Sequence, residues 1–276
     1  MCDGLLSSSE GSHRQFLREL FDVALSAVSA EFCVPPHLPA PAIGKTLILG
    51  IGKAGASMAR VASGLMEGRV EGIVLTRYGH SLPAEQMPPG MVIFEAGHPI
   101  PDEHGLKATQ AILAAVRDLG PDDQLLALVS GGGSALLTMP AHGITLDDKR
   151  SVTRELLLCG ASISEINCVR THLSRIKGGR LAIAASPARV VTLAFSDIPG
   201  DDPALIASGP TVSDRTRLAD AKRIVEHYDI PVSASVLAAL SDPANETPTA
   251  RSDSLPRLET KAVSYTHLTL PTIYSV

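Results

Sequence analysis

The sequence predicts an α/β fold, a mostly parallel sheet covered by helices on both faces. Three observations lead there. Short apolar runs recur between turn residues: "TLILGI", "EGIVLT", "MVIFEA", "QLLALVS" and "RVVTLAFS". They are continuously apolar rather than alternating, the pattern of strands buried on both faces. Segments of helical period separate most of them, and strands alternating with helices build parallel sheets. The composition agrees: 45% of the 276 residues are hydrophobic, only 3% are aromatic and there is no Trp. Such a core is filled by Ala, Gly, Val and Leu at close backbone spacing.

Residues 11–32 place Phe16, Leu17, Leu20, Phe21, Ala24, Ala27 and Val28 on one helical stripe. The Pro-rich "HLPAPAIG" leads into the first strand, "TLILGI". A helix, "ASMARVASGLMEG", follows and closes on Gly68. The second and third strands are "EGIVLT" and "MVIFEA". "DEHGLKATQAILAAVRDLG" is a helix with Asp102 as N-cap and Gly120 as stop. "QLLALVS" is the fourth strand. Helical patterns fill much of 146–185, "RVVTLAFS" is the fifth strand, and "RTRLADAKRIVEHYDI" is a further helix. The crossovers should be right-handed, and ligands should sit beyond the carboxyl ends of the strands.

The folded domain is expected over 1–240. From Ser241 the chain turns polar, with three prolines in "SDPANETPTARSDSLPRLE", and 241–262 reads as the start of a linker. Residues 263–276, "VSYTHLTLPTIYSV", are unlike what precedes them. They read as a non-native tail derived from a sequencing adapter; the alternative is a genuine β-rich segment.

A formal net charge of −5 without charge blocks argues against nucleic acid as a partner. No apolar stretch approaches ~18 residues, so no membrane partner is expected. The N-terminus lacks the charged and apolar regions of a signal peptide, and a cytoplasmic location is expected. Cys2, Cys33, Cys159 and Cys168 match neither a zinc nor a redox spacing and read as free, buried thiols. The oligomeric state stays open.

Five stretches carry chemistry. "GIGKAG" sets Gly50, Gly52 and Gly55 in the dinucleotide-loop pattern between a strand and a helix. Lys53 inside it would crowd a pyrophosphate but suits a single phosphoryl group or a carboxylate. The second strand ends in Thr76 and Arg77, where a ribose-binding acid would stand. The alternative for this stretch is a tight turn with a solvent-facing Lys. "SGGGS", Ser130, Gly131, Gly132, Gly133 and Ser134, can aim several backbone N–H groups at one anion. His98, just past the third strand, orients a substrate hydroxyl or carboxylate, or is a hydrogen-bonded structural His. Asn167, Arg170, Ser174 and Lys177 are spaced to share one helix face, which suits an anion or is simply a solvated cationic face. In "FSDIPGDDPALIASGPT", Asp197 follows the fifth strand directly, with Asp201 and Asp202 in the turn beyond. Carboxylates there hold Mg²⁺ or accept a hydroxyl proton, or else shape the turn.

"GIGKAG", "GHPIPD", "LVSGGGSALL", "INCVRTHLSRIKGGRLA" and "SDIPGDDPALIASGPT" together resemble the motifs of the glycerate 2-kinase family, in the family's order, over Phe16 to about Leu240. Some members have been labelled hydroxypyruvate reductase. The resemblance implies ATP-dependent phosphorylation of D-glycerate to 2-phosphoglycerate with Mg²⁺. It implies a Rossmann-like three-layer α/β/α domain followed by a smaller α/β domain, with the site in the cleft between them. The family's catalytic Lys falls on Lys53 and its acidic positions on Asp197 and Asp201, Asp197 serving as metal ligand. Gly52, His98, Ser130 to Ser134, Asn167, Arg170 and Lys177 form the expected substrate and phosphate set. The sequence departs from the family by ending where the linker begins, so the second domain, expected to supply an Arg, is missing. The expectation is a glycerate kinase whose truncated chain is inactive or nearly so. Two rivals stand beside it: an NAD(P)H-dependent hydroxypyruvate reductase, and a non-catalytic domain that binds phosphometabolites.

Overall fold

The computed structural model describes residues 3–86, 88–196, 198, 200–248 and 258–264. Among the described residues six strands form the sheet: β1 (Lys45–Ile51), β2 (Arg69–Arg77), β3 (Met91–Ala96), β4 (Gln124–Val129), β5 (Arg189–Ser196) and β6 (Leu258–Ser264). All pair in parallel, in the order β3-β2-β1-β4-β5-β6. Their carboxyl ends are level. Ile51 pairs with Leu75 and with Val129, and Val129 pairs with Ala194. The loops after β1, β3, β4 and β5 therefore emerge on one edge. The strand order reverses between β1 and β4, which is where a doubly wound sheet opens a ligand crevice.

The alternate faces of the strands feed separate cores. Leu47, Leu49, Ile51, Leu125, Ala127 and Val129 pack with α4 (Glu103–Arg117), α5 (Gly133–Leu136) and α8 (Arg180–Ala184). Ile48, Leu126, Leu128, Val191 and Phe195 pack with α3 (Gly55–Leu65) and the short α2 (Ala30–Cys33). The three-layer α/β/α reading therefore holds. A third apolar cluster unites α6 (Leu146–Leu158), α7 (Ile163–His172), α9 (Leu218–His227) and α10 (Ala234–Ala239) beside the sheet. Asp102 caps α4 as expected, its Oδ1 accepting from the Gly105 N–H at 2.8 Å.

Four details differ from the sequence reading. The stretch read as linker contributes β6, which crosses the boundary drawn at Val263. An edge strand needs only one paired side, so exposed Thr260 and Lys261 are tolerated and the polar pattern hid it. The first helix is α1 (Asp3–Ala27), interrupted before α2, and Phe16, Leu17, Leu20 and Phe21 are exposed among the described residues. Cys159 is exposed, whereas Cys33 and Cys168 are buried free thiols as expected. The fourth concerns the cationic face and is taken up with the site.

Candidate active site

The loops after β1 and β4 are built around each other. Ser130 N and Ser130 Oγ both donate to the Ile51 carbonyl, at 2.9 and 3.0 Å, and Ala54 N–H donates to Ser130 Oγ at 3.1 Å. Lys53 N–H donates to the Gly131 carbonyl at 3.0 Å. Gly52 has φ +105°, and a Cβ there would meet Ser130 O at 2.5 Å and Ser130 C at 2.8 Å. Its own N–H is taken by the Leu75 carbonyl. The bareness of Gly52 thus serves the close approach of two loops, and Ser130, buried and doubly bonded, locks them.

This lock leaves donors over. The N–H groups of Gly131, Gly132 and Ser134 make no hydrogen bond with the described residues, whereas Gly133 N–H turns back to Ser130 O. Gly132 has φ +87°, and its bare Cα lies against both His98 and Lys53, where a Cβ would come within 3.1 and 3.4 Å. Beside these groups is a cavity of about 360 Å³. His98, Gly131, Gly132, Ser134, Asn167 and Arg170 line it, so the structure brings six of the expected residues together. Ile163, Ile198, Leu205 and Ile206 give it an apolar side.

Asn167, Arg170, Ser174 and Lys177 do not share a helix face. The helix α7 ends at His172, Ser174 sits in a β-bridge with Pro140, and Gly178 and Gly179 have positive φ. The spacing was helical but the chain turns after His172. Lys177 is fully buried rather than solvated. Its Nζ donates to the Ser134 carbonyl at 2.9 Å and to the Ala207 carbonyl at 3.3 Å. Ser134 Oγ meets Ser208 Oγ at 2.7 Å, and Ser208 Oγ donates to Asn167 Oδ1 at 3.4 Å. Lys177 and Ser208 therefore tie the glycine loop to the loop beyond β5. Ala207 and Ser208 adopt positive φ without being glycine, a strained conformation held at the cavity wall.

The electrostatics are cationic. Burial first, and then the charges of Lys53, Arg77 and Arg170, hold His98 below its ordinary pKa, so its imidazole is mostly neutral at neutral pH. Lys53 is exposed, and the Arg170 guanidinium makes no hydrogen bond or ion pair with the described residues. Arg77 at the end of β2 keeps a buried Nε without a hydrogen-bond partner among the described residues. Sequence reasoning noted Arg77 only as a missing acid, and it passed over Lys149 and Ser208. Their roles come from contacts distant in sequence.

Asp197 lies outside the described residues. Asp201 is half-buried in the loop beyond β5, with φ +50°. Asp202 shapes that turn, accepting from Ala204 N–H at 3.0 Å. Among the described residues no three His, Cys, Asp or Glu side chains gather as a metal site. No described helix is long and apolar enough to cross a membrane.

Fold and cavity define an α/β protein with unpaired N–H donors and cations at the switch point of its sheet. Residues 16–241 match the family model described as a domain of unknown function, DUF4147. The chain is 51% identical over 240 residues to a protein of Agrobacterium vitis provisionally named a hydroxypyruvate reductase, covering 87% of this chain and 54% of that one. It is 40% identical over 231 residues to the D-glycerate 2-kinase of Thermotoga maritima, covering 83% and 54%. The crystal structure of a glycerate kinase from Thermotoga maritima matches at a TM-score of 0.83 and 35% identity, covering 96% of this chain and 64% of that one. The chain belongs to the glycerate 2-kinase family, some of whose members carry the hydroxypyruvate reductase name. It spans about half the length of these relatives.

Proposed function

We propose that the protein transfers the γ-phosphoryl group of ATP to D-glycerate, giving 2-phosphoglycerate. The observation that carries this reading is the set of three unpaired N–H groups, on Gly131, Gly132 and Ser134, beside a cavity flanked by Lys53 and lined by Arg170. Phosphoryl transfer asks a protein mainly for positioned donors and cations, which stabilise charge as it spreads over the moving group. Lys53 is assigned the transferring phosphoryl group and Arg170 the substrate carboxylate or a phosphate. Neutral His98 orients a glycerate hydroxyl, and Asn167 is held for the same task by Ser208. The hydroxyl proton passes to a carboxylate of the loop beyond β5, Asp197 or Asp201. Magnesium, when bound, neutralises charge on the phosphates. It takes most of its ligands from phosphate and water, so one or two carboxylates on this loop suit it, with Asp197 assigned as ligand.

One observation keeps a reductase in the experiment. Arg77 stands at the end of β2, where an arginine accommodates the 2′-phosphate of NADP. Glu95, the acid of the neighbouring strand, is taken by the N–H groups of Gly79 and Ser81. The test offers the protein, together with the half that its relatives carry beyond this chain, D-glycerate with ATP and Mg²⁺, and separately hydroxypyruvate with NADPH. Phosphorus NMR should show 2-phosphoglycerate. Oxidation of NADPH without phosphoglycerate contradicts the proposal. The 276-residue chain alone is assigned binding, with turnover lower by about 10²–10³-fold if a transition-state cation comes from outside it.

A further inference from the structure

We propose that Lys149 is a positioning residue that takes up a proton when an anion occupies the cavity, so that the site gains positive charge as it fills. The inference rests on reading the cavity as an anion site. Lys149 sits in α6 with 4% of its surface exposed, and its Nζ has no hydrogen-bond partner among the described residues. A buried ammonium without a partner is costly, whereas a neutral amine is far less so.

Two guanidiniums reach it, Arg170 on α7 and Arg180 on α8, and Lys149 in turn acts on Lys177 in the turn before α8, whose own amine burial pushes well below its ordinary value. The nearby carboxylates are engaged elsewhere. Asp148 accepts from Thr145 and Ser233. Asp147 pairs with Arg150. Asp214 and Glu246 act on Arg180, and Glu246 also accepts from Leu218 N–H. Burial, then the charges of Arg170 and Arg180, bring the Lys149 amine down to about 7. Arg170 connects this cluster to the cavity, which it lines. An anion held by the Gly131, Gly132 and Ser134 N–H groups would face Arg170 and offset the repulsion that adds to burial in holding the Lys149 amine down. Lys149 then charges and stiffens the cationic wall behind the ligand.

The sign follows from linkage. If the bound state holds a proton that the free state lacks, affinity falls as pH rises from the free pKa toward the bound one, by up to about tenfold per pH unit. His98 lines the same cavity and Lys177 is buried beside it, so the proton is assigned to Lys149 by the difference between wild type and Lys149→Met above about pH 7.5.

Isothermal titration calorimetry on the full chain, in buffers of different ionisation enthalpy, reads the proton directly. Sulfate is the first probe, because its charge is constant across this range, and D-glycerate is the second. Wild type should take up most of one proton at about pH 8. Lys149→Met should melt no lower than wild type, bind sulfate with a flat pH profile and take up none. Lys149→Arg, permanently charged, should bind at pH 9 without uptake. Sulfate binding to wild type without uptake overturns the proposal. So does a Lys149→Met protein that keeps the wild-type pH profile, and so does failure of sulfate to bind at all. Proton-linked sulfate binding with no glycerate binding upholds the proposal and removes the glycerate reading. Glycerate bound without uptake does the reverse.

Discussion

Gly52→Ala tests the claim that the two glycine loops are built around each other. At φ +105° the new side chain is in a region that L residues avoid, at a cost of about 1–3 kcal/mol. Its Cβ would also meet the Ser130 carbonyl oxygen at 2.5 Å and its carbon at 2.8 Å. These are backbone atoms, held by Ser130 N–H and Oγ on Ile51, so relief requires the loops to part. Overpacking of this kind costs a further ~1–3 kcal/mol. Less flexibility in the unfolded chain returns about 0.4–1 kcal/mol, leaving a net loss of about 2–5 kcal/mol. Gly64→Ala is the control. Gly64 is exposed inside α3, with nothing within 4 Å of its added Cβ, and the same change there should stabilise by about 0.5–1 kcal/mol. Urea unfolding of both variants, with anion affinity measured beside it, reads the contrast. A Gly52→Ala protein within ~0.5 kcal/mol of wild type and with unchanged affinity refutes the interlocked loops.

Three further outcomes follow from the same geometry. Lys177→Met removes the donor to Ser134 O and Ala207 O and should cost about 1–3 kcal/mol in urea unfolding, with weaker anion binding. Asp102→Ala removes the cap on Gly105 N–H and the bonds from Gly97 N–H and Tyr78 Oη, and should cost about 1–2 kcal/mol at neutral pH. Burial pushes the Asp102 carboxyl up, but those hydrogen bonds outweigh it and hold it below its ordinary value. Its contribution is therefore full above the unfolded pKa and lost as pH falls through the folded one, so the difference between wild type and Asp102→Ala in unfolding should shrink in acid. Lys53→Ala should lower kcat/KM for glycerate phosphorylation about 10²–10³-fold in the protein joined to the half that its relatives carry beyond this chain, while the melting temperature barely moves, because the Lys53 side chain is exposed.

The strands, the Asp102 cap and the glycine loops were legible because each is local. Continuous apolar runs mark strands buried on both faces, and "GIGKAG" and "SGGGS" announce backbone that must bend or come close. Parallel order then places their ends on one edge without further information. What the sequence hid is tertiary. The spacing from Asn167 to Lys177 is helical, yet the helix stops at His172 and Lys177 turns into the core to meet carbonyls far away in sequence. That Gly52 makes room for Ser130 cannot be read from either residue alone. Lys149 looks like an ordinary surface lysine on α6 until the packing of α6 with α7, α9 and α10 buries it. The polar pattern of β6 suits a strand with a single neighbour among the described strands.

In the proposed reading the glycine loop after β4 receives an anion through specific backbone groups. Amide NMR of the ¹⁵N-labelled chain titrated with D-glycerate tests it most directly. Saturable shifts are expected at Gly131, Gly132 and Ser134. Gly52 and Ser130, whose N–H groups are already given to Leu75 and Ile51, should move far less. Shifts confined to other parts of the chain, or equal movement of the free and the bonded N–H groups, would contradict it.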